Sequence, residues 1–321
     1  MNAIFILFKR QACLLMGVLG CAGLLAAQEA TQFTSIQRMT NGEILLKFST
    51  PKGLNFQVDT STNLLLWNSM ITLLSTGSNQ HTDAAAANFN TRYYRAQEVS
   101  GTNILTGDHL LTEAGEVVFH PINHASFVIG WNGKTIYNDP VGGAAPFQGL
   151  PRADLVLVSH THGDHFNPNT LDAVKGSNTV IVAPQAVFNG LSATLKALTI
   201  VLTNGATTNI MGLTIDAVPA YNLNHPIGSG NGYVLTIGGK RIYMSGDTGD
   251  IPEMRALQNI DVAFVCMNLP FTMSVDQASD VVRAFRPKVV YPYHYSQSNV
   301  NSFKQRVGTD LGIEVRLRKW Y

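Results

Sequence analysis

The stretch His160-Thr161-His162-Gly163-Asp164-His165 places three imidazoles and one carboxylate within a single turn of backbone. Neutral imidazole and carboxylate are the groups that bind zinc and similar divalent ions. The stretch follows residues 153–158, an apolar run that predicts a buried strand. Because α/β sheets bind their ligands at the carboxyl ends of strands, the sequence predicts a metal site there.

Other candidate metal-site residues lie far apart in the sequence, yet each follows a predicted strand. They are Asp139, His225, Asp247 and His294. For His225 the strand is predicted over residues 213–218, and His225 itself is expected in a loop, residues 221–232, that is rich in Asn and Gly. A site built from strand ends is held rigidly, which would preorganise a metal centre.

Four further segments accompany these residues: Asn-His-Ala-Ser-Phe at 123–127, Asn-Asp-Pro at 138–140, Ser-Gly-Asp-Thr at 245–248 and Pro-Tyr-His-Tyr at 292–295. Together with the histidine stretch they resemble signatures of the metallo-β-lactamase fold. The resemblance is to the group of metal-dependent hydrolases that includes L-ascorbate-6-phosphate lactonase. It extends over residues 104–321 and implies an α/β fold, an αββα sandwich with the active site at one edge.

The resemblance also implies a site for two divalent metal ions. The first ion would be held by His160, His162 and His225. The second ion would be held by Asp164, His165 and His294. Asp247 would bridge the two ions, whereas Asp139 would shape the site from behind without binding metal. Five histidines and two carboxylates favour zinc, although manganese or iron suits the same ligands.

The predicted chemistry is hydrolysis. Two neighbouring cations can share a water molecule and lower its pKa towards neutrality, which supplies a hydroxide nucleophile. Asp164 would also orient that hydroxide. His124, from the His-Ala-Ser segment, is a second candidate catalytic residue, with support of a ligand as its alternative role. Tyr295 is a third, as an oxyanion or acid partner, with packing as the alternative.

Composition narrows the substrate class. The chain has 321 residues, a formal net charge of +1 and no basic stripe, which argues against nucleic-acid binding. For the hydrolase that the resemblance implies, the expected substrate is a small ester, lactone or phosphoester. A phosphodiesterase, a β-lactam hydrolase and a non-catalytic secreted binding protein remain as alternatives.

The first 27 residues read as a secretory signal peptide. Lys9 and Arg10 precede an apolar run, residues 12–27, which is short for a membrane span. Cleavage near Ala27 is expected, and export with it. A lipid anchor at Cys21 is the weaker alternative, because leucine is unusual before the glycine of a lipoprotein signal. An uncleaved anchor is the other alternative. Cys266 would then be the one mature cysteine and is expected to be buried.

Residues 31–99 are predicted to form a small β-sandwich of short strands. Residues 57–67 and 92–95 loosely resemble fibronectin-III-like accessory modules of some secreted bacterial proteins. Such a module could contact a carbohydrate or a surface, or could simply be a spacer.

Overall fold

The computed structural model describes residues 31–100 and 104–321. By its internal packing the chain divides into two compact units, Met1–Leu110 and Leu111–Tyr321. The predicted leader, including Cys21, lies outside the described residues. Across the two described ranges, no helix has the length and apolar character needed to cross a membrane.

The first unit is built from short antiparallel strands. Its strands are β1 (Gln32–Arg38), β2 (Ile44–Ser49), β3 (Asn55–Ser61), β4 (Asn68–Leu74), β5 (Ser78–Asp83), β6 (Tyr93–Val99) and the start of β7 (Gly107–Thr112). One sheet has the order β1-β2-β5, and the other runs β7-β4-β3-β6. Phe48 from the first sheet and Phe56 and Tyr94 from the second are buried in one cluster. This is the arrangement of a small β-sandwich.

The second unit opens with a mixed sheet. Its strands are β8 (Gly115–Asn123), β9 (Ser126–Trp131), β10 (Lys134–Asn138), β11 (Ala153–Leu157), β12 (Lys175–Ala183) and β13 (Thr199–Val201). The strands β8, β9 and β10 pair antiparallel, and β10 to β13 pair parallel in chain order. The β9–β10 hairpin turns at Asn132 and Gly133, both with positive φ, as the Asn-Gly pair predicts.

A second mixed sheet follows in the same unit. Its strands are β14 (Thr207–Ile210), β15 (Leu213–Asn222), β16 (His225–Ile237), β17 (Lys240–Met244), β18 (Val262–Cys266), β19 (Val289–Tyr293) and β20 (Glu314–Val315). They pair in chain order, antiparallel up to β17 and parallel from there on. Cys266 is free and buried, as expected.

Six helices connect the strands of the second unit. They are α1 (Pro168–Val174), α2 (Gln185–Asn189), α3 (Ala193–Lys196), α4 (Pro252–Arg255), α5 (Val275–Phe285) and α6 (Val300–Val307). The spacing of Ser274 and Gln277 predicts a capping box at the start of α5, and the structure contains it: the Ser274 hydroxyl accepts from the Gln277 backbone, and the Gln277 side chain accepts from Ser274 N.

The two sheets of the second unit face each other through aromatic side chains. Phe127 on β9 stacks on Phe264 on β18, with ring centroids 4.3 Å apart. Phe119 on β8 meets the same ring edge-on at 5.5 Å. Burial of such rings removes a large apolar area from water and fixes the spacing of the sheets.

The prediction for the segment around His225 was wrong in one respect. His225 does not lie in a loop but begins β16, directly across the ladder from Asn222. The Asn- and Gly-rich residues 221–232 therefore form most of a β-hairpin. Pairing with β15 stabilises this segment as a strand, although its local sequence has a low strand propensity.

Candidate metal centre

The predicted ligands converge on one end of the second unit and form two groups. We call them the His160 group (His160, His162, His225 and Asp247) and the His165 group (His124, Asp164, His165 and His294). Within each group, one potential ligand atom from every residue lies within 4.8 Å of the others. Residues from five separate segments thus meet, and the division matches the predicted one except for the addition of His124.

Asp247 stands between the two groups. Its Oδ1 lies 3.2 Å from His165 Nε2 and 3.3 Å from His294 Nε2. Its Oδ2 lies 3.6 Å from His225 Nε2 and 3.8 Å from His160 Nε2. One carboxylate oxygen therefore faces each group, as a bridging ligand requires.

Three residues of the site adopt a left-handed backbone immediately after a strand. His124 follows β8 with φ 55°, Asp139 follows β10 with φ 41°, and His294 follows β19 with φ 47°. This conformation costs a non-glycine residue about 1–2 kcal/mol. It turns the chain sharply at the strand end, and such strain concentrates at functional sites.

Asp139 braces the site from within the core. Its side chain is fully buried and accepts hydrogen bonds from Ser159 N at 2.7 Å and Ser159 Oγ at 2.8 Å. His165 Nδ1 donates to Asp139 Oδ2 at 2.8 Å. Because the Nδ1 proton is held there, Nε2 is the atom of His165 that faces the site and is available to a cation.

The histidines of the His160 group are oriented in a similar way. His225 Nδ1 donates to Asn222 Oδ1 at 2.9 Å, and His160 Nδ1 lies 3.0 Å from Ser159 Oγ. Ser159 Oγ gives its own proton to Asp139, so it accepts from His160. Both imidazoles therefore direct an unprotonated Nε2 into the site, and these two atoms lie 3.2 Å apart. His162 is exposed and presents Nδ1, 3.0 Å from His225 Nε2.

The turn that carries Asp247 depends on a glycine. Gly246 has φ +58°, and a Cβ added there would lie 2.8 Å from the Asn231 carbonyl oxygen. Gly246 N donates to the hydroxyl of Tyr293, which is fully buried, at 3.0 Å. Tyr293 and Gly246 thus fix the backbone that precedes the shared carboxylate.

His124 connects the His165 group to the last residue of the chain. His124 Nε2 donates to Asp164 Oδ2 at 3.1 Å, and Nδ1 lies 2.6 Å from the Tyr321 hydroxyl. Since a carboxylate only accepts, His124 donates from Nε2, and in that tautomer Nδ1 accepts from the Tyr321 hydroxyl. Ser296 N donates to the same hydroxyl at 2.9 Å. The contact with Tyr321 was not anticipated from the sequence, where no spacing connects the two residues.

Tyr295 occupies a different position. Its ring meets that of Tyr321 edge-on at 5.0 Å, and its hydroxyl points to the Arg318 carbonyl oxygen at 3.5 Å. The hydroxyl that reaches His124 thus belongs to Tyr321. The catalytic role predicted for Tyr295 stays a prediction.

The charges of the site follow from burial and from neighbouring groups. Burial, assisted by the charge of His165, lowers the pKa of His160 to about 2, which keeps it neutral. Burial alone would also lower the pKa of His165, but the carboxylates of Asp247 and Asp139 raise it well above the usual value. A cation that binds His165 Nε2 must therefore displace a proton.

The carboxylates are held in their ionised form. The hydrogen bond from His124, and then the nearby imidazole of His294, lower the pKa of Asp164 well below its usual range. Burial alone would raise the pKa of Asp247, but the charge of the neighbouring His165 outweighs burial and leaves the pKa low. Ionised carboxylates and neutral imidazoles are the forms that bind metal.

The residues fit a metal centre. Within the described part of the chain, His165 Nε2, Asp247 Oδ1 and His294 Nε2 are buried without a hydrogen-bond partner. Unpaired buried polar atoms are costly, and here they face one another across the site. The unprotonated nitrogens of His160 and His225 would likewise repel unless a cation lies between them. Divalent ions bound by the two groups would provide partners for the unpaired buried atoms and would remove the repulsion between the imidazole nitrogens.

Comparisons with known proteins agree with this assignment. A family model described as a β-lactamase superfamily domain matches residues 119–294. The UPF0173 metal-dependent hydrolase of Pyrococcus abyssi is 30% identical over 212 residues, which cover 60% of this chain and 93% of that protein. The corresponding protein of Thermococcus kodakarensis is 31% identical over 210 residues, with the same coverage. The chain belongs to the metallo-β-lactamase superfamily, within the UPF0173 metal-dependent hydrolases.

Solved structures support the fold. A protein of Parabacteroides distasonis, assigned as a metal-dependent hydrolase, is 39% identical with a TM-score of 0.62, over 67% of this chain and 99% of that one. Igni18, a metallo hydrolase of Ignicoccus hospitalis, shares the fold at 24% identity and a TM-score of 0.56, over 63% of this chain and 95% of that one. The predicted fold class and the predicted enzyme class, a metal-dependent hydrolase, are both confirmed.

Proposed function

We propose that this protein is an exported hydrolase that uses two divalent metal ions to cleave a small ester, lactone or phosphoester. The observation that carries the proposal is the position of Asp247. One of its oxygens faces each group of ligands at 3.2–3.8 Å, which suits one shared carboxylate between two ions. The family supplies the reaction class, and the geometry of the two groups supports the number of ions.

When bound, the two ions would activate a water molecule and polarise the substrate carbonyl or phosphoryl group. The residues of the chain provide the rest. Asp164 is half exposed and ionised, so its carboxylate can accept a hydrogen bond from a water molecule at the mouth of the site and orient it. His124 donates to that carboxylate and holds it in place, while Tyr321 holds His124.

The segments around the site favour an uncharged substrate. Residues 141–149, 223–231 and 269–273 contain no Lys, Arg, Asp or Glu. A phosphodiesterase would need a cationic side chain to hold its anionic substrate. The side chains that contact the two groups are instead Asp, Asn, Ser and Tyr, which supports an ester or lactone over a phosphodiester.

Zinc is the metal that we propose, because imidazole and carboxylate ligands suit it well. Manganese and iron would suit the same residues and are distinguished by the elemental analysis below. Export is proposed from the sequence of residues 1–27. For the first unit we propose attachment to a glycan or surface, on the resemblance of residues 57–67 and 92–95.

The test is elemental analysis of protein purified without added metal, followed by a substrate panel. We expect about two metal ions per chain, fewer in His162→Ala, and cleavage of p-nitrophenyl acetate or γ-butyrolactone in preference to bis-(p-nitrophenyl) phosphate and a chromogenic cephalosporin. Preferred cleavage of the phosphodiester or the cephalosporin would overturn the substrate class. A metal-loaded protein that cleaves nothing in the panel, while the first unit binds a glycan, would favour a binding protein.

A further inference from the structure

Four large apolar side chains are exposed beside the metal centre. Leu223 and Ile227 flank His225 on the β15–β16 hairpin and are 104% and 74% exposed. Leu269 and Phe271 lie between β18 and α5 and are 58% and 55% exposed. We call these four residues the apolar rim. Adjacent exposed apolar residues of this size mark binding surfaces in soluble proteins.

The two halves of the apolar rim are tied together. Asn222 Nδ2 donates to the carbonyl oxygen of Phe271 at 2.9 Å, and Asn224 Nδ2 donates to that of Pro270 at 2.8 Å. The side-chain amides of one segment thus bind the backbone of the other. These hydrogen bonds therefore hold the two segments of the rim together as one surface.

The apolar rim is also continuous with the metal centre. Asn222, whose amide nitrogen holds the Phe271 segment, uses its amide oxygen to orient His225 at 2.9 Å. The rim flanks His225 in the sequence on both sides, two residues before and two after it. A molecule that packs on the rim therefore extends from the ligands of the His160 group.

Charge narrows the chemistry of that molecule. The rim segments, residues 222–231 and 267–275, contain no Lys, Arg, Asp or Glu. Nothing in these segments would pair with a charged group, whereas four apolar side chains would gain from removal of their surface from water.

We propose that the apolar rim binds the hydrocarbon part of the substrate, so that the enzyme prefers esters or lactones with a medium-length acyl chain. This inference rests on the proposed ester or lactone hydrolysis and names its substrate class. The reacting carbonyl lies at the metal centre, and the acyl chain extends over the rim. Specificity of this kind comes from apolar contact and grows with the number of methylene groups buried.

A pair of esters with the same leaving group tests the proposal. We expect kcat/KM for p-nitrophenyl octanoate to exceed that for p-nitrophenyl acetate by about tenfold or more. Phe271→Ser and Leu223→Ser should each reduce that ratio several-fold. Ile200→Ser, at an exposed apolar residue on β13 in the other sheet, should leave the ratio at the wild-type value. Equal kcat/KM values for the two esters would overturn the proposal.

A binding measurement separates this inference from the proposed activity. If neither ester is cleaved, the proposed function fails, and calorimetry on the metal-loaded protein still tests the rim. Octanoate that binds about tenfold more tightly than acetate, with the difference lost in Phe271→Ser, supports the proposal. Equal affinities overturn it. A third outcome would also overturn it: the protein sediments with phosphatidylcholine vesicles, Phe271→Ser does not, and octanoate is not preferred over acetate. The rim would then be a membrane-binding surface.

Discussion

The two groups of ligands receive their support from different parts of the molecule. The His165 group rests on the buried interior, where Asp139 and Ser159 hold His165 and a left-handed residue begins the turn at His294. The His160 group depends partly on the surface, because His225 is oriented by Asn222, which also ties down the Phe271 segment. One group is therefore supported mainly from the interior, and the other is connected to the surface that we expect the substrate to touch.

Removal of the shared carboxylate should give the largest effect, because it affects both groups. We expect Asp247→Ala to lose both metal ions and to lower kcat/KM by more than about a hundredfold, since even partners behind the ligands contribute about 10–100-fold. Elemental analysis and kinetics measure this. Asp216→Asn, at a partly exposed carboxylate on β15, is the matched control and should retain both ions. Retention of both ions in Asp247→Ala would show that the groups are independent.

Asp139→Asn should affect the His165 group selectively. The variant weakens the acceptor for His165 Nδ1, so we expect a loss of about 10–100-fold in metal affinity at that group. Metal titration should then show one ion bound as in wild type and one bound weakly. Equal loss of affinity for both ions would contradict this difference in support. It would indicate that Ser159 transmits the change to His160.

Asn222→Ala tests the surface support of the His160 group. The variant removes the acceptor for His225 Nδ1 and the donor to Phe271, and we expect about a tenfold loss of metal affinity confined to the His160 group. Asn224→Ala is the matched control, because it removes a similar tie to Pro270 but no contact with a ligand. Equal metal affinities in the two variants would show that Asn222 does not orient His225.

Tyr321→Phe should give the smallest effect. It removes one hydroxyl, keeps the ring, and frees His124 to rotate away from Asp164, so we expect kcat to fall by about three- to tenfold with little change in KM. Tyr295→Phe serves as the comparison, since its hydroxyl points to the Arg318 carbonyl oxygen. A larger loss of kcat in Tyr295→Phe than in Tyr321→Phe would favour the predicted catalytic role of Tyr295.

Local patterns in the sequence predicted much of the fold and of the ligand set. Alternating and continuous apolar runs predicted strands, and Ser274 with Gln277 predicted the start of α5. The ligands were visible because three histidines and an aspartate within residues 160–165 have no simple structural explanation other than a metal. Where spacing carries the signal, the sequence was enough to identify residues that the structure brings together.

The contacts that orient the ligands could not be predicted in this way. Tyr321 meets His124 across 197 residues of chain, and no periodicity links them. Asn222 appeared to belong to a loop, because strand propensity is low around it and pairing with β16 becomes apparent only in the fold. The left-handed backbone of His124 and Asp139 follows from the geometry of strand ends rather than from residue type.

The position of Asp247 has a thermodynamic consequence. A carboxylate that serves two cations is ordered and partly neutralised by whichever cation arrives first. Occupancy of one group must therefore alter the affinity of the other, and by linkage the influence is equal in both directions. A substrate that shifts His225 through Asn222 would then also change the affinity of the His165 group for its cation, so that substrate binding and metal loading would be linked equilibria.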